Sequence, residues 1–185
     1  MTGERLGNKL SLKDSRELIL SHVFERFKLE VERKQDLDEK ANNLAGFVGI
    51  ILSLISGFGL TSLTTFKLPA FEWTFDYFYR ISPIITFVVV YASLFLSVFF
   101  VLKAMNIKKY FYVPQAFNLI GAFENNTKTD EICQVLYDEY ALAISDNMTK
   151  NDKEALDISK SIYCLFVSLV VFSVTVILFM VLGGR

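Results

Sequence analysis

Residues 36–59 read DLDEKANNLAGFVGIILSLISGFG, with Asp36, Asp38, Glu39 and Lys40 crowded at the start and no further charge until Lys67. A run of 26 uncharged residues therefore separates Lys40 from Lys67, and two others match it: 22 residues between Arg80 and Lys103, and 24 between Lys160 and Arg185. At about 1.5 Å per residue each run reaches ~30 Å, the thickness of a bilayer's hydrocarbon core. The reading is an all-α integral membrane protein with three transmembrane helices near 42–64, 81–102 and 161–183. A buried helix of a soluble protein is the alternative, but such helices rarely exceed about 20 residues and usually keep a polar face. The remainder divides into a cytoplasmic amino-terminal helix (1–40) and a cytoplasmic helical insertion (106–160) within the transmembrane region 41–183.

Charge sets the expected orientation. Nine basic and nine acidic residues fill the first 40 positions, which lack the short basic region and apolar core of a cleaved signal peptide. Seven basic residues lie from Lys103 to Lys160, and only Lys67 and Arg80 lie between the first two spans. The positive-inside bias then puts the amino terminus and the long second loop in the cytoplasm of a cell (inner or plasma) membrane, and the carboxyl terminus outside. Net charge of −1 gives no support for direct nucleic-acid binding. Cys133 and Cys164 have no metal-ligand spacing and are expected to be free thiols. The ring-rich connection FKLPAFEWTFDYFYR (66–80) reads as an aromatic belt at the outer headgroups.

Two cytoplasmic segments read as helices that enter the membrane unbroken. Ser11-Leu12-Lys13-Asp14 offers a helix start, after which Leu20, Phe24, Phe27 and Val31 recur at steps of four and three. The same rhythm continues to Lys34, Asp38, Ala41 and Ala45, so the seam turns polar as it nears the membrane. A rod from about Asp14 to Leu63 spans roughly 75 Å. Pro114 suits a second helix start, and Thr127 to Asp130 form another capping pattern. From there Ile132, Leu136, Tyr140, Ala143, Asn147, Asn151, Ala155, Ile158 and Ile162 share one face, giving a second rod parallel to the first. Buried polar groups are costly unless bonded, so they fix which helices pair and in what register. Asp36 or Asp38 is expected to meet Asn147 or Asn151 just below the membrane; a helix end wetted by solvent is the alternative.

Within span 1, Ala41, Ala45, Gly49, Ser53, Gly57 and Thr61 recur every four residues, an edge that lets helix backbones approach closely. Either packing within the chain or a homo-oligomer contact uses such an edge. Arg33, Lys34, Lys40, Lys103, Lys108, Lys109 and Lys160 gather near the inner face, where anionic lipids attract them. No Asp, Glu, Lys, Arg or His falls inside any span, which argues against a proton relay, a voltage sensor or an ion-coupled transporter. His22 is alone, no metal or phosphate-binding motif is present, and neither an enzyme nor a cofactor is expected.

The Asp-x-Lys-Ala element at Asp38, Lys40 and Ala41, leading into an apolar span, resembles the start of the membrane region in Pycsar transmembrane effectors and SLATT-type modules. The segment YALAISDNMTKNDKEAL, with Tyr140, Asn147, Asn151 and Lys153, resembles those modules' cytoplasmic helix. The likeness covers residues 30 to 183. It implies a prokaryotic antiviral (abortive-infection) effector that impairs the membrane when a sensor triggers it. The chain has no room for a nucleotide sensor of its own, so the resemblance implies a separate cytoplasmic sensor such as a short Argonaute complex, docked on residues 14–40. A non-toxic scaffold subunit of a membrane complex is the alternative.

Overall fold

The computed structural model describes residues 3–65, 74–106 and 129–183. Three helices account for nearly all of them: α1 (Gly3–Thr65), α2 (Phe75–Met105) and α3 (Thr129–Gly183). Among the described residues there is no strand. The chain divides into two compact units, one of residues 1–37 with 108–153, the other of residues 38–107 with 154–185.

In the first unit α1 and α3 run parallel. Phe24 and Phe27 meet the ring of Tyr140 edge-on, with centroids 5.9 and 5.3 Å apart. Further along both helices Glu30 meets Asn151 and Arg33 meets Asp152. Phe27 and Ala143 are buried, as the step of three and four along each helix anticipates.

The second unit is a three-helix bundle in which α2 runs antiparallel to α1 and α3. Gly59 of α1 lies against Phe87 of α2, and Ser56 accepts the Tyr91 hydroxyl at 3.0 Å. Ser97 of α2 meets Ser161 of α3, and Lys103 meets Asp157. The core consists of Val48, Ile55, Phe87, Val90, Leu94 and Leu165. On α2 the buried residues Pro83, Phe87, Val90, Leu94, Ser97, Val101 and Ala104 alternate steps of four and three. That spacing is the 3.5-residue repeat of helices that wrap around one another with knobs in holes. Pro83 sits inside α2 without breaking it. Proline cannot supply the N–H that would bond the carbonyl four residues earlier, and that carbonyl, of Tyr79, instead accepts the Ser82 hydroxyl at 2.8 Å.

Each helix has a stretch long and apolar enough to cross a membrane, with mean hydropathies of 1.6, 2.6 and 2.9. Only 17, 28 and 17% of those stretches are buried inside the protein. Phe47, Leu54, Val88, Phe95, Phe166 and Ile177 all face outward. Exposed apolar surface of that extent is unstable in water and ordinary in lipid. The chain is therefore a multi-pass membrane protein, with three helices able to span among the described residues.

Two helix starts and one buried face differ from expectation. α1 begins at Gly3, so Ser11 lies inside the helix instead of at its start. α2 begins at Phe75, capped by Thr74, whose hydroxyl accepts the Tyr77 N–H at 3.3 Å. Part of the expected aromatic connection is thus helical, and residues 66–73 lie outside the described residues. On α3 the buried face passes from Asn151 to Glu154 by a step of three, so Ala155 is only half-buried and Ile162 is exposed. Pro114 and Thr127 lie outside the described residues; α3 starts two positions beyond Thr127.

Candidate functional site: polar residues in the helix contacts

Every seventh residue of α3 from Asn147 is polar: Asn147, Glu154, Ser161, Ser168 and Thr175, all with no exposed surface. Such a series on the contact face is unlike an ordinary core, because each buried polar group needs a partner. On α1 the corresponding series is Phe27, Lys34, Ala41, Val48 and Ile55, all buried. The charged or polar member of this α1 series is Lys34, with Glu30 beside it.

In the first unit the partner of Asn151 is Glu30. The Asn151 amide donates to the Glu30 backbone carbonyl at 3.0 Å and to its carboxylate at 2.7 Å. Both amide hydrogens are thereby used, so Asn151 does not meet Asp36 or Asp38 as the sequence had led us to expect. Asp36 is exposed and Asp38 is half-buried. The physical reason is helical phase: Glu30 stands near the inner seam between Phe27 and Lys34, whereas Asp36 projects from the opposite side. Around this contact Arg33 donates to Asp152 at 2.7 Å and lies 3.7 Å from Glu30. Asn151 Oδ1 has no hydrogen-bond partner among the described residues. Asn147 is buried. Lys150 and Asp146 pair one turn apart on α3.

In the second unit Ser97 and Ser161 form a reciprocal clasp. Their hydroxyls lie 2.8 Å apart, and each also reaches the other's backbone carbonyl, at 3.0 and 2.9 Å. One turn or so nearer the water-side end, Asp157 is buried and receives Lys103 at 3.0 Å and Lys160 at 4.0 Å. Lys160 also lies over the Phe100 ring, 5.6 Å from its centroid. A carboxylate withdrawn from water is costly unless ion-paired, and these two lysines supply the pairing.

The seven basic residues expected at the inner face are therefore unequal. Lys40 is exposed, Arg33 is engaged by Asp152 and Glu30, and Lys103 and Lys160 converge on Asp157. Lys34 is 6% exposed, which withdraws it from headgroup contact. Lys108 and Lys109 lie outside the described residues.

Among the described residues the small-residue edge of α1 is open from Gly49 to Gly57, while Ala41 at its start is buried. A Cβ added at Gly46, Gly49 or Gly57 would meet nothing within 4 Å. Ser53 and Thr61 bond back to Gly49 and Gly57 of their own helix. Ala45 is half-buried. The glycine that serves packing is Gly59, where the Phe87 ring occupies the place of a side chain.

Sequence reading missed Glu30, Glu154, Asp157, Ser161 and Gly59. Four of these five were within reach of a signal: counting back by sevens from Ser168 yields Ser161 and Glu154, a step of three further gives Asp157, and Glu30 follows Phe27 by three. Gly59 had no such signal, because its role depends on a ring of another helix. Both cysteines are free, as expected. No protein family matches the chain, and no relative was found among curated proteins or solved structures.

Proposed function

We infer that this protein is a membrane effector of a prokaryotic antiviral defence system, switched from the cytoplasm by a separate sensor. On triggering, its spans repack or oligomerise and the membrane depolarises or becomes permeable. The observation that carries the reading is the continuity of α1 and α3, each of which passes from a charged segment with polar contacts into an apolar span without a break. A helix backbone resists bending, so a shift imposed on the charged segment of either helix is passed on along its length. The polar contacts define a register that a partner can change, because each register satisfies a different set of buried groups. The open glycine edge of α1 supports assembly of several copies, since small residues permit close approach of helices in lipid. With three spans and no charge inside them, a conducting path requires more than one copy or a disturbance of the lipid.

The test is inducible expression in bacteria carrying a membrane-potential dye. Mass action drives assembly at high expression even without the sensor. Potential is expected to fall as expression rises, and Gly49→Leu with Gly57→Leu should abolish the fall while leaving the protein in the membrane fraction. A potential that stays constant at every expression level overturns the effector reading and favours a scaffold.

A further inference from the structure

Lys103 and Lys160 mark the same membrane boundary by independent criteria. Lys103 ends the 22-residue uncharged run of α2, and Lys160 precedes the 24-residue uncharged run of α3. Because α2 and α3 are antiparallel in the second unit, the two lysines come to one end of the bundle. Both ammonium nitrogens lie within 4.0 Å of a single oxygen, Oδ1 of Asp157, at 3.1 and 4.0 Å. Asp157 is buried, so its charge is directed at the lysines and not at solvent. The lysine side chains remain 54 and 45% exposed. Two ammonium groups held together by one carboxylate leave a net positive charge with free N–H donors facing outward. The same turns expose Phe99 and Leu102 on α2 and Ile162 and Tyr163 on α3.

We propose that Lys103 and Lys160, positioned by Asp157, form a binding site for the phosphate of an anionic phospholipid headgroup, with the exposed apolar residues of the adjoining turns lying along its acyl chains. The argument for a lipid over free phosphate is position: the charge sits where an apolar run ends, which is where headgroup phosphates lie. Asp157 holds the two ammonium groups in place before the lipid arrives, so less side-chain freedom is lost on binding. Arg33 has its own carboxylates and Lys34 is buried, so neither competes for this role. The site depends only on membrane insertion; a scaffold with these spans would hold the same lipid, so its failure and that of the effector reading are separate results.

The experiment is native mass spectrometry of the full chain in a non-ionic detergent, titrated with phosphatidylglycerol or phosphatidylcholine, with inorganic phosphate as competitor. Phosphatidylglycerol should bind more tightly than phosphatidylcholine. Each lysine contributes about a fivefold preference near an anionic surface, so Lys103→Gln with Lys160→Gln should weaken phosphatidylglycerol roughly thirtyfold. Lys103→Arg with Lys160→Arg should retain binding, and Lys28→Gln, an exposed lysine of the first unit, should leave it unchanged. If the double glutamine variant does not fold, Lys160→Gln alone, which loses the longer of the two ion pairs, should weaken binding about fivefold. Unchanged phosphatidylglycerol binding in the folded glutamine variants, or equal binding of phosphatidylcholine, overturns the site. Displacement of the lipid by inorganic phosphate at equal concentration overturns the lipid assignment in favour of a free-phosphate site.

Discussion

Gly59→Ala tests the packing of the membrane bundle most directly. The added methyl group would fall where the ring of Phe87 stands, while the same change at Gly49 or Gly57 meets nothing within 4 Å. Phe87 is 6% exposed and packs on Tyr91 at a centroid distance of 5.1 Å, so its ring has little room to retreat. Forcing an extra carbon into a filled core costs about 1–3 kcal/mol, and alanine recovers up to ~1 kcal/mol of helix propensity relative to glycine. Taking the middle of the overpacking range less that recovery, the net expectation is a loss of about 1 kcal/mol, rising to ~2 kcal/mol at the top of the range, a shift of the folding equilibrium of roughly fivefold and at most thirtyfold. Reversible unfolding in mixed micelles, followed by helicity against the mole fraction of denaturing detergent, measures it. Phe87→Leu in the Gly59→Ala background should return part of the loss, although Phe87→Leu alone is destabilising. Gly49→Ala with Gly57→Ala should be neutral or slightly stabilising in the monomer. If Gly59→Ala is as stable as the natural protein, or if the two substitutions at 59 and 87 are simply additive, Phe87 does not lie against that glycine and the proposed bundle packing is wrong.

Other contacts make further expectations. Ser97→Ala and Ser161→Ala should each cost about 0.6 kcal/mol and at most ~1.7 kcal/mol, the mean and upper limit for hydrogen bonds between membrane helices; each single variant leaves the other hydroxyl its bond to a backbone carbonyl, so the double variant should cost more than either single one but less than their sum, and full additivity would refute a contact between the two hydroxyls. Replacing Arg33 and Asp152 by alanine should change stability by under ~1 kcal/mol and only at low salt, since the pair is partly exposed; a salt-independent loss above that figure would contradict a surface pair. With Cys133 and Cys164 replaced by alanine, cysteines at positions 33 and 152, whose natural side chains bridge the two helices as an ion pair, should be joined by a short bifunctional maleimide that spans the gap left by the arginine. Asn147→Leu with Asn151→Leu should lower that yield by releasing the register without preventing membrane insertion; an undiminished yield would mean that apolar contacts alone set the register.

How much was readable beforehand follows from the kind of force involved. Three uncharged runs of 22 to 26 residues require membrane helices, because lipid offers no other partner for the backbone. The seam of α1 was legible in part: Phe27, Lys34 and Ala41 are buried where the rhythm of three and four placed them, whereas Phe24 is exposed and Leu20, Val31, Asp38 and Ala45 are half-buried. Asn147 and Asn151 were correctly located on α3, yet the residue that meets Asn151 is Glu30 and not an aspartate nearer the apolar run. Periodicity assigns a residue to a face of its own helix; the partner depends on the axial offset between two helices, and a pattern repeating every seven residues is compatible with several offsets. The step of three from Asn151 to Glu154 shows the same limit in miniature, for Glu154 and Ala155 both satisfied a helical spacing and only the neighbouring helices chose the first.

Glycines divide along the same line. The sequence by itself identified a small-residue edge at Ala45, Gly49, Ser53 and Gly57, a property of composition and spacing along one helix. Only the tertiary structure decided that this edge is open among the described residues and that Gly59, two residues beyond Gly57 and off its line, is the position a ring fills. In the same way, charge counting placed Lys103 and Lys160 at a membrane boundary; Lys160 meets Asp157 within its own helix, but the arrival of Lys103 at the same carboxylate arises from the antiparallel packing of α2 on α3. Hydropathy acts residue by residue and is written in the order of the chain, whereas packing and ion pairing act between residues tens of positions apart and exist only once the helices have met.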